Sequence, residues 1–382
     1  MKKTNVLFVN SWYPNKIKKH NGKFIREHAK SVSKFCTVTC LQVQGVSKQK
    51  DIFIVDKTLN NNILEITIYY KKPNKFNVLK KKKRQHKAFK LGFEQLKNNV
   101  DIVHLNVIFP AGFFALYLKK KYGIPFILTE HNTAFLKEDT TNFSLIQKKI
   151  ITRIANKASA LCPVSTQLQN AMQDFGIIGN YHVIPNVIDT SIFTFKPKSV
   201  SNKVRFLHVS TLNNSHKNYK GILRAFKHLA DKNTNFILTF MSSANMQEAK
   251  KYALDIGLPK NTIQFVPNKT ALDVATAMQN NDVFVLFSNF ETFSLVVAES
   301  LCCGTPVIAT KVGIIPEIIN KDNGLLVSVS DENMLFNNLL KMLKNYKLYN
   351  NQNISDTAIA MYNYKAVGLK YVSLYKAIKN KL

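Results

Sequence analysis

The chain has 382 residues, more than the roughly 250–300 residues at which a single hydrophobic core usually divides, so two domains are expected. Hydrophobic residues make up 46% of it, enough for globular cores, and no window approaches the roughly 18 uninterrupted apolar residues of a membrane span. The net charge of +31 favours anionic partners such as nucleic acid, acidic lipid headgroups or phosphorylated substrates.

The N-terminal stretch MKKTNVLFVNSWYP begins like a signal peptide, but its apolar run, Val6–Val9, is too short for one. We therefore expect it to be the first strand of a cytoplasmic protein. The five cysteines form no CxxC pair and no Cys/His spacing typical of zinc, so we expect reduced, buried thiols. They are Cys36, Cys40, Cys162, Cys302 and Cys303.

Short apolar runs alternate with longer amphipathic stretches through the first half of the chain. The predicted strands are NVLFVNSW, TVTCLQV, DIVHLNV, PFILTEH and ALCPVS. The predicted helices are KFIREHAKSVSKF and the ranges Ala111–Tyr122 and Leu145–Lys157. This alternation predicts a parallel sheet with helices on both faces.

The alternation pauses at HVIPNVIDTSIFTFKPKSVSNK, which contains two prolines and little periodicity. It restarts with the predicted strands VRFLHVS, NFILTFM, TIQFVP, DVFVLFS, TPVIAT and GLLVSV, and it ends in the helical stretch YNYKAVGLKYVSLYKAIKNKL. The sequence therefore predicts an α/β protein with two similar domains, 1–190 and 203–362, joined near 190–203. A C-terminal helix is expected at about 363–382 and is expected to pack back on the N-terminal domain.

The densest basic run is YYKKPNKFNVLKKKKRQHKAFK, from Tyr69 to Lys90. Clusters of about 4–8 basic residues are typical of contacts with anionic lipid, so we expect a membrane surface to be met through Lys80–Arg84. Two alternatives stay open. The run is a solvated face in a chain whose Lys, Asn and Ile content reflects AT-rich coding, or it binds nucleic acid.

Common nucleotide fingerprints are absent from the sequence. No GxGxxG follows the first strand, no Walker A motif occurs, and the chain contains no DxD. The last absence argues against a magnesium ion held by paired aspartates.

The stretch NFETFSLVVAESLCCGTPVIAT places Glu291 and Glu299 in an apolar setting, although only 23 residues of the chain are acidic. Ser294 is a natural N-cap and Gly304 a natural stop, which predicts a short helix from Leu295 to about Cys303. Its unpaired first-turn amides and the positive end of its dipole suit a phosphate. One carboxylate on each side of a diphosphate, each holding sugar hydroxyls, would bind a nucleotide-diphospho-sugar. The alternative is that Glu299 is satisfied within the fold and Glu291 is a surface charge.

The longer segment ETFSLVVAESLCCGTPVIATKVGIIPEII closely resembles the E-x7-E region of retaining glycosyltransferases of family 4. The matching positions are Ser288, Glu291, Phe293, Glu299, Gly304, Pro306, Val307, Ile308, Gly313, Pro316 and Glu317. Ile314 and Thr292 depart from the family pattern, because glycine is usual at the first position and frequent at the second. The resemblance implies a GT-B fold, in which two Rossmann-like domains with parallel sheets face each other across a cleft.

The resemblance extends over most of the chain. SWYPNKIKKHNGKFIREHA places Gly22 where the backbone approaches the donor, and GIPFILTEHNTAF places His131 at the end of a strand. VIPNVIDTSIF matches the segment before the linker, with Val187 in place of a glycine. HVSTLNNSHKNYKGILRAF keeps the lysine of the diphosphate site as Lys217, but Thr211 stands where the family has an arginine. Either a neighbour such as His216 or Lys220 replaces that cation, or the diphosphate is held less tightly.

The resemblance also implies residue roles. Lys217 and the N-terminal amides of the helix would stabilise the departing diphosphate without a metal or other cofactor. Glu299 would hold the ribose and Glu291 the transferred sugar, which His131 would reach from the N-terminal domain. Further donor contacts would come from Thr292, Phe293, Ser294, Leu295 and Val296.

The implied reaction retains the anomeric configuration and uses no side-chain nucleophile. The acceptor would be a glycan or a polyprenyl-diphosphate-linked glycan bound to the N-terminal domain, in surface polysaccharide synthesis. Two rival functions stay open: a non-hydrolysing nucleotide-sugar epimerase, and a basic nucleic-acid-binding protein.

Overall fold

The computed structural model describes residues 3–74, 77–96, 99–140, 143–268 and 270–381. Of the sequence stretches considered above, Met1, Lys2, Lys75, Phe76 and Leu382 lie outside the described residues. The chain divides into two compact units. The N-terminal unit comprises Met1–Val187 with Tyr364–Leu382, and the C-terminal unit comprises Ile188–Asn363.

The N-terminal unit is built on a seven-stranded sheet with the order β3-β4-β2-β1-β5-β6-β7. All neighbouring strands are parallel except the edge pair β3 and β4. Its strands are β1 (Asn5–Asn10), β2 (Thr37–Val46), β3 (Phe53–Asn60), β4 (Ile63–Lys71), β5 (Ile102–Asn106), β6 (Phe126–Glu130) and β7 (Ala160–Pro163).

Helices cover both faces of this sheet. They are α1 (Lys23–Ser33), α2 (Val78–Phe93), α3 (Gly112–Tyr122), α4 (Leu145–Ala155), α5 (Thr166–Asp174) and, from the end of the chain, α14 (Tyr364–Lys379). A 3₁₀ turn lies at Thr133–Phe135. Helix α14 packs against α1, while α2, α3 and α4 follow one another as neighbours. Right-handed crossovers place the α2–α4 layer on the face opposite α1.

The hairpin formed by β3 and β4 was not predicted from the sequence. Its two-residue turn, Asn61 and Asn62, has φ values of 48° and 63°, the left-handed conformation that tight hairpin turns require. Asparagine tolerates this conformation better than most residues. The parallel sheet expected from the βα alternation therefore carries one antiparallel edge strand.

The C-terminal unit contains a six-stranded, wholly parallel sheet with the order β10-β9-β8-β11-β12-β13. Its strands are β8 (Val204–Val209), β9 (Phe236–Ser242), β10 (Ile263–Pro267), β11 (Val283–Leu286), β12 (Val307–Thr310) and β13 (Gly324–Val327). Its helices are α6 (Asn214–Lys217), α7 (Tyr219–Ala230), α8 (Gln247–Asp255), α9 (Ala271–Asn280), α10 (Leu295–Cys302), α11 (Ile315–Ile318), α12 (Glu332–Asn345) and α13 (Asn351–Tyr362), with 3₁₀ turns at Lys260–Thr262 and Tyr346–Leu348.

The segment 190–203, expected as a linker, packs within the C-terminal unit. The Lys198 ammonium donates to the carbonyl of Asn281 and to Thr305 Oγ1, and burial lowers its pKa to about 8. All five cysteines are free and buried. Among the described residues, no helix has the length and apolar character needed to cross a membrane.

Candidate functional site

The candidate site of the C-terminal unit lies where β8 and β11 end, at the carboxyl edge of the sheet. Parallel sheets commonly bind ligands at this edge. The loop after β8 leads into α6, and the loop after β11 leads into α10. Asn289 ties the two loops together, because its backbone N–H donates to His216 O (2.8 Å) and its side-chain amide donates to Ser215 O (2.9 Å).

Glu291 is buried at this junction and forms an ion pair with Lys217. The distance from Lys217 Nζ to Glu291 Oε1 is 2.5 Å, and Ser288 Oγ donates to the same oxygen at 2.8 Å. His216 lies on the other side, with Nε2 3.7 Å from Glu291 Oε2, and its ring stacks on Phe290. Burial alone would raise the pKa of Glu291, but the Lys217 ammonium and then His216 lower it to about 2.

The loop that carries Glu291 is fixed by the strand next to it. Thr310 Oγ1 donates to Ser288 O at 2.7 Å. Gly313 has a φ of 60°, and a Cβ atom there would lie 2.9 Å from Glu291 O and 3.0 Å from Thr292 O. Glycine is therefore required at position 313. Ile314, which departs from the family pattern, is buried as the residue before α11.

Helix α10 begins at Leu295, as predicted, but Ser294 does not cap it in the expected way. Ser294 has a left-handed φ of 69° and makes no side-chain capping bond. Its buried hydroxyl has no hydrogen-bond partner among the described residues. Its hydroxyl accepts no hydrogen bond from the first-turn amides, so the capping expected of Ser294 was wrong.

The start of α10 leaves backbone donors exposed to the site. The first backbone bonds run from the N–H groups of Val297 and Ala298 to Ser294 O. Those of Leu295 and Val296 have no backbone acceptor within the described parts of the chain. No acidic residue occupies the first turn. Phe293 is buried just before the helix, with its ring edge-on to Tyr362.

Glu299 lies one turn further along α10 and differs sharply from Glu291. Its half-buried carboxylate has no hydrogen bond or ion pair with any described residue. Burial raises its pKa to about 7. A ligand with hydrogen-bond donors would therefore provide the partners that the Glu299 carboxylate lacks among the described residues.

Neither residue considered as a substitute for the family's arginine stands ready as a free cation beside Thr211. Thr211 is exposed in the loop after β8. Lys220, one of the two residues considered as a substitute, pairs with Glu248 at 2.8 Å. His216, the other, contacts Glu291. Of the two, only His216 faces the carboxylate that Lys217 also binds.

Two residues of the site were not assigned a role from the sequence. Ser288, noted above only as a position of the family pattern, donates directly to Glu291, and Asn289 joins the two loops. A polar pair directly after a buried strand was the available signal for both, because such positions lie at the carboxyl edge of the sheet.

Gly22 and His131 lie close together in the N-terminal unit. Gly22 precedes α1 with a φ of 67°, and a Cβ atom there would be 2.8 Å from the carbonyl carbon of Trp12. Phe24 packs on His131, with 4.5 Å between ring centroids. Burial, followed by the charges of His28 and His104, holds the pKa of His131 well below its usual range, so the imidazole is neutral.

Glu130 fixes the backbone around His131. Its carboxylate accepts hydrogen bonds from the N–H groups of Ile108, His131 and Asn132, at 2.8–3.0 Å. The side chain of Glu130 is therefore committed to this turn, and burial raises its pKa.

Two family descriptions match adjoining parts of the chain. Glycosyltransferase Family 4 matches residues 56–192, and Glycosyl transferases group 1 matches residues 189–356. The chain belongs to the family 4 glycosyltransferases and has their GT-B fold. The family membership and the GT-B fold expected from the sequence are confirmed.

Characterised relatives of this glycosyltransferase differ in the reactions they are named for. An N-acetylgalactosamine-N,N'-diacetylbacillosaminyl-diphospho-undecaprenol 4-alpha-N-acetylgalactosaminyltransferase of Campylobacter jejuni is 25% identical over 349 residues, covering 86% of this chain and 91% of that protein. An N-acetyl-alpha-D-glucosaminyl L-malate synthase of Bacillus anthracis is 24% identical over 289 residues, covering 69% and 71%.

Solved structures with the same fold cover nearly the whole glycosyltransferase. Sucrose-phosphate synthase from Thermosynechococcus elongatus has a TM-score of 0.78 at 16% identity, with all of both chains covered. HepE of Anabaena, in complex with UDP and glucose, has a TM-score of 0.69 at 16% identity, with 98% of this chain and 99% of that chain covered. At these identities the likeness shows the fold.

Proposed function

We propose that this glycosyltransferase moves a hexose-type sugar from a nucleotide-diphospho-sugar to a glycan or lipid-linked acceptor in surface polysaccharide synthesis. The observation that carries the proposal is the Lys217–Glu291 ion pair at the loop that leads to the uncapped start of α10. Positive charge, free amides and a buried carboxylate are the groups that a sugar diphosphate needs.

The donor occupies the C-terminal unit in this proposal. Its diphosphate lies at the amides of Leu295 and Val296, and Lys217 exchanges its bond to Glu291 for one to the diphosphate. Glu291 then accepts hydrogen bonds from sugar hydroxyls, and Glu299 accepts them from the ribose. The backbone at Thr292, Phe293 and Ser294 orients the sugar. Thr211, in the loop after β8, borders the donor, and the UDP and glucose bound to HepE support a donor of this class.

The chemistry requires stabilisation of the departing diphosphate. The bond from the anomeric carbon to the diphosphate oxygen breaks, and the acceptor oxygen forms its bond on the same face, so the configuration is retained. The acceptor's proton passes to the leaving phosphate. Lys217 and the helix amides neutralise the growing charge, a role that a metal fills elsewhere.

The acceptor belongs to the N-terminal unit. The C. jejuni relative is named for a diphospho-undecaprenol acceptor, which supports a lipid-linked one here. Helices α2, α3 and α4 together carry thirteen lysine and arginine residues and no aspartate or glutamate. Beside Lys80–Arg84, Val78 and Leu79 are exposed at the start of α2, as are Leu145 and Ile146 on α4. This layer suits the inner face of an anionic membrane.

Thermal stabilisation by UDP-, GDP- and ADP-sugars, measured with EDTA present, tests the donor site. One nucleotide series should stabilise the wild type and not Glu299→Ala. Asp356→Ala, which removes an exposed carboxylate elsewhere in the same unit, should behave like the wild type. If sugars interconvert in the donor with no acceptor present, the protein is an epimerase. Absence of stabilisation by every nucleotide would refute the donor site.

A further inference from the structure

A groove of about 690 Å³ separates α2 from the loop that joins β5 to α3. This volume lies in the range of about 300–1,000 Å³ typical of small-molecule sites. Phe89 and Phe114 are buried in its floor, with stacked rings 5.0 Å apart. Phe109 and Phe113 form its other wall with centroids 6.1 Å apart, and Phe113 is 39% exposed. The inner surface is therefore mostly hydrocarbon, with Gln85 and His86 as its uncharged polar members.

Lysines border this hydrocarbon surface. Lys83, Lys87 and Lys90 follow one another at helical spacing, so they share one face of α2, and all three line the groove. Lys82 is a fourth cation in the lining, and Glu94 is its one carboxylate. Four lysines therefore line the groove against a single acid, and this excess of positive charge favours an anionic group. In the unliganded protein the Lys87 ammonium lies 5.8 Å from the Phe53 ring centroid and the Lys90 ammonium 4.7 Å from that of Tyr117, so both would turn toward a bound anion.

The apolar groove and the lysines that border it together favour one class of ligand. Nucleic acid would need exposed aromatic faces for several bases, but of the four phenylalanines in the lining only Phe113 is exposed. A flat bilayer surface would meet projecting apolar side chains rather than a recess beneath lysines. A single hydrocarbon chain that ends in a phosphate or diphosphate fits both the recess and its rim.

We propose that this groove binds the prenyl chain of a prenyl-diphosphate-linked acceptor, with the diphosphate held by Lys83, Lys87 and Lys90. The inference rests on the proposed transfer to a lipid-linked acceptor. It adds the place where the lipid lies, and it separates lipid recognition in the N-terminal unit from donor recognition at Glu299 in the C-terminal unit.

Calorimetric titration of the full chain with farnesyl diphosphate tests the inference, with inorganic pyrophosphate and phosphatidylglycerol vesicles as comparison ligands. Phe113→Ser should weaken the binding of farnesyl diphosphate roughly tenfold or more, because it removes an apolar contact with the prenyl chain and adds no charge. It should weaken pyrophosphate much less. The triple variant K83S/K87S/K90S should bind both farnesyl diphosphate and pyrophosphate more weakly than the wild type.

A matched control removes the same charge from the same unit. The triple variant K365S/K370S/K376S changes three exposed lysines of α14 and should bind farnesyl diphosphate like the wild type. Equal losses in both triple variants would mean non-specific attraction and would overturn the inference. So would vesicle binding that depends on Phe113 when farnesyl diphosphate does not bind, since the occupant would then be a bilayer lipid.

The donor assay separates this inference from the proposed function. If Phe113→Ser leaves prenyl binding unchanged while a nucleotide-sugar still stabilises the protein through Glu299, the groove assignment fails and the transfer reaction stands. If no nucleotide-sugar stabilises any form, the transfer reaction itself fails, whatever the groove binds.

Discussion

The Lys217 ammonium and the Glu291 carboxylate bind each other directly, with 2.5 Å between Nζ and Oε1. Both side chains are largely buried, at 14% and 8% exposure, so the pair is partly removed from water. In the absence of a donor, each of these two charged groups therefore compensates the charge of the other. A ligand that takes Lys217 frees Glu291, and the protein keeps the two charges compensated until that exchange occurs.

Replacing one member of this pair should cost more than replacing both. Lys217→Met leaves a buried carboxylate unpaired and should destabilise the protein by about 3 kcal/mol. Adding Glu291→Gln should recover most of that loss while sugar transfer stays abolished. Denaturant unfolding and a transfer assay on the three proteins measure the two effects separately. A double variant no more stable than Lys217→Met would show that the pair contributes little.

The pair also predicts how acid affects stability. The pKa of Glu291 is about 2 in the folded protein, below its ordinary value of 4.5. The ionised carboxylate therefore makes its full contribution to the free energy of unfolding above about pH 5. This contribution is lost as the pH falls toward 2. The K217M/E291Q protein should therefore show a shallower loss of unfolding free energy between pH 5 and 2 than the wild type.

Glu299 should have the opposite pH dependence. Its folded pKa of about 7 exceeds the ordinary 4.5, so ionisation opposes folding increasingly from about pH 4.5 to 7 and fully above that. Glu299→Gln should stabilise the protein at pH 8 by up to about 3 kcal/mol and have almost no effect at pH 4. Melting temperatures of both proteins across this range test the prediction. Equal gains at both pH values would mean that packing, not charge, is responsible.

The elements with strong periodicity were predictable from the sequence. The βα alternation gave both parallel sheets, because buried parallel strands are apolar throughout and their helices are amphipathic. The start of α10 followed from Ser294 and the apolar run after it. The family resemblance rested on the E-x7-E segment, where the residue types are chemically specific.

Details that depend on backbone angles or distant partners were not predictable. Strand β3 shows little alternation of apolar and polar residues because most of it is exposed. The turn residues Asn61 and Asn62 were therefore the only sequence signal for the hairpin. The left-handed φ of Ser294 comes from the loop around it and reverses the usual meaning of a serine before a helix. The contact from Ser288 to Glu291 needed the loop geometry.

Ser294 should be a position where glycine improves stability. A left-handed conformation costs a serine about 1 kcal/mol, and its buried hydroxyl has no described partner. Ser294→Gly should therefore raise the free energy of unfolding by about 1 kcal/mol. Ser294→Ala, which removes the hydroxyl and keeps the strain, should gain less. Equal values for the two variants would mean that the hydroxyl, not the backbone, carries the cost.

Gly22 and Gly123 allow strain and crowding to be separated. Both glycines have left-handed φ values, 67° and 71°. A Cβ atom added at Gly22 would lie 2.8 Å from the Trp12 backbone, whereas a Cβ atom added at Gly123 would have no heavy atom of the described residues within 4 Å. Gly123→Ala should cost about 1 kcal/mol from strain alone. Gly22→Ala should cost clearly more, because the backbone of Trp12 must move. Similar losses for both would show that the loop at Trp12 yields easily.

The C-terminal helix should depend on a single hydroxyl for part of its attachment. Tyr375 OH lies 2.6 Å from His104 Nδ1, and both groups are buried in the N-terminal unit. Tyr375→Phe leaves that nitrogen unpaired and should cost about 1–3 kcal/mol. Tyr362 is equally buried, but its hydroxyl has no partner among the described residues, so Tyr362→Phe should be neutral or slightly stabilising. Chemical denaturation of the two variants compares the removal of a hydrogen-bonded hydroxyl, at Tyr375, with the removal of an unbonded one, at Tyr362. An equal loss in both would show that the His104–Tyr375 contact does not hold α14 in place.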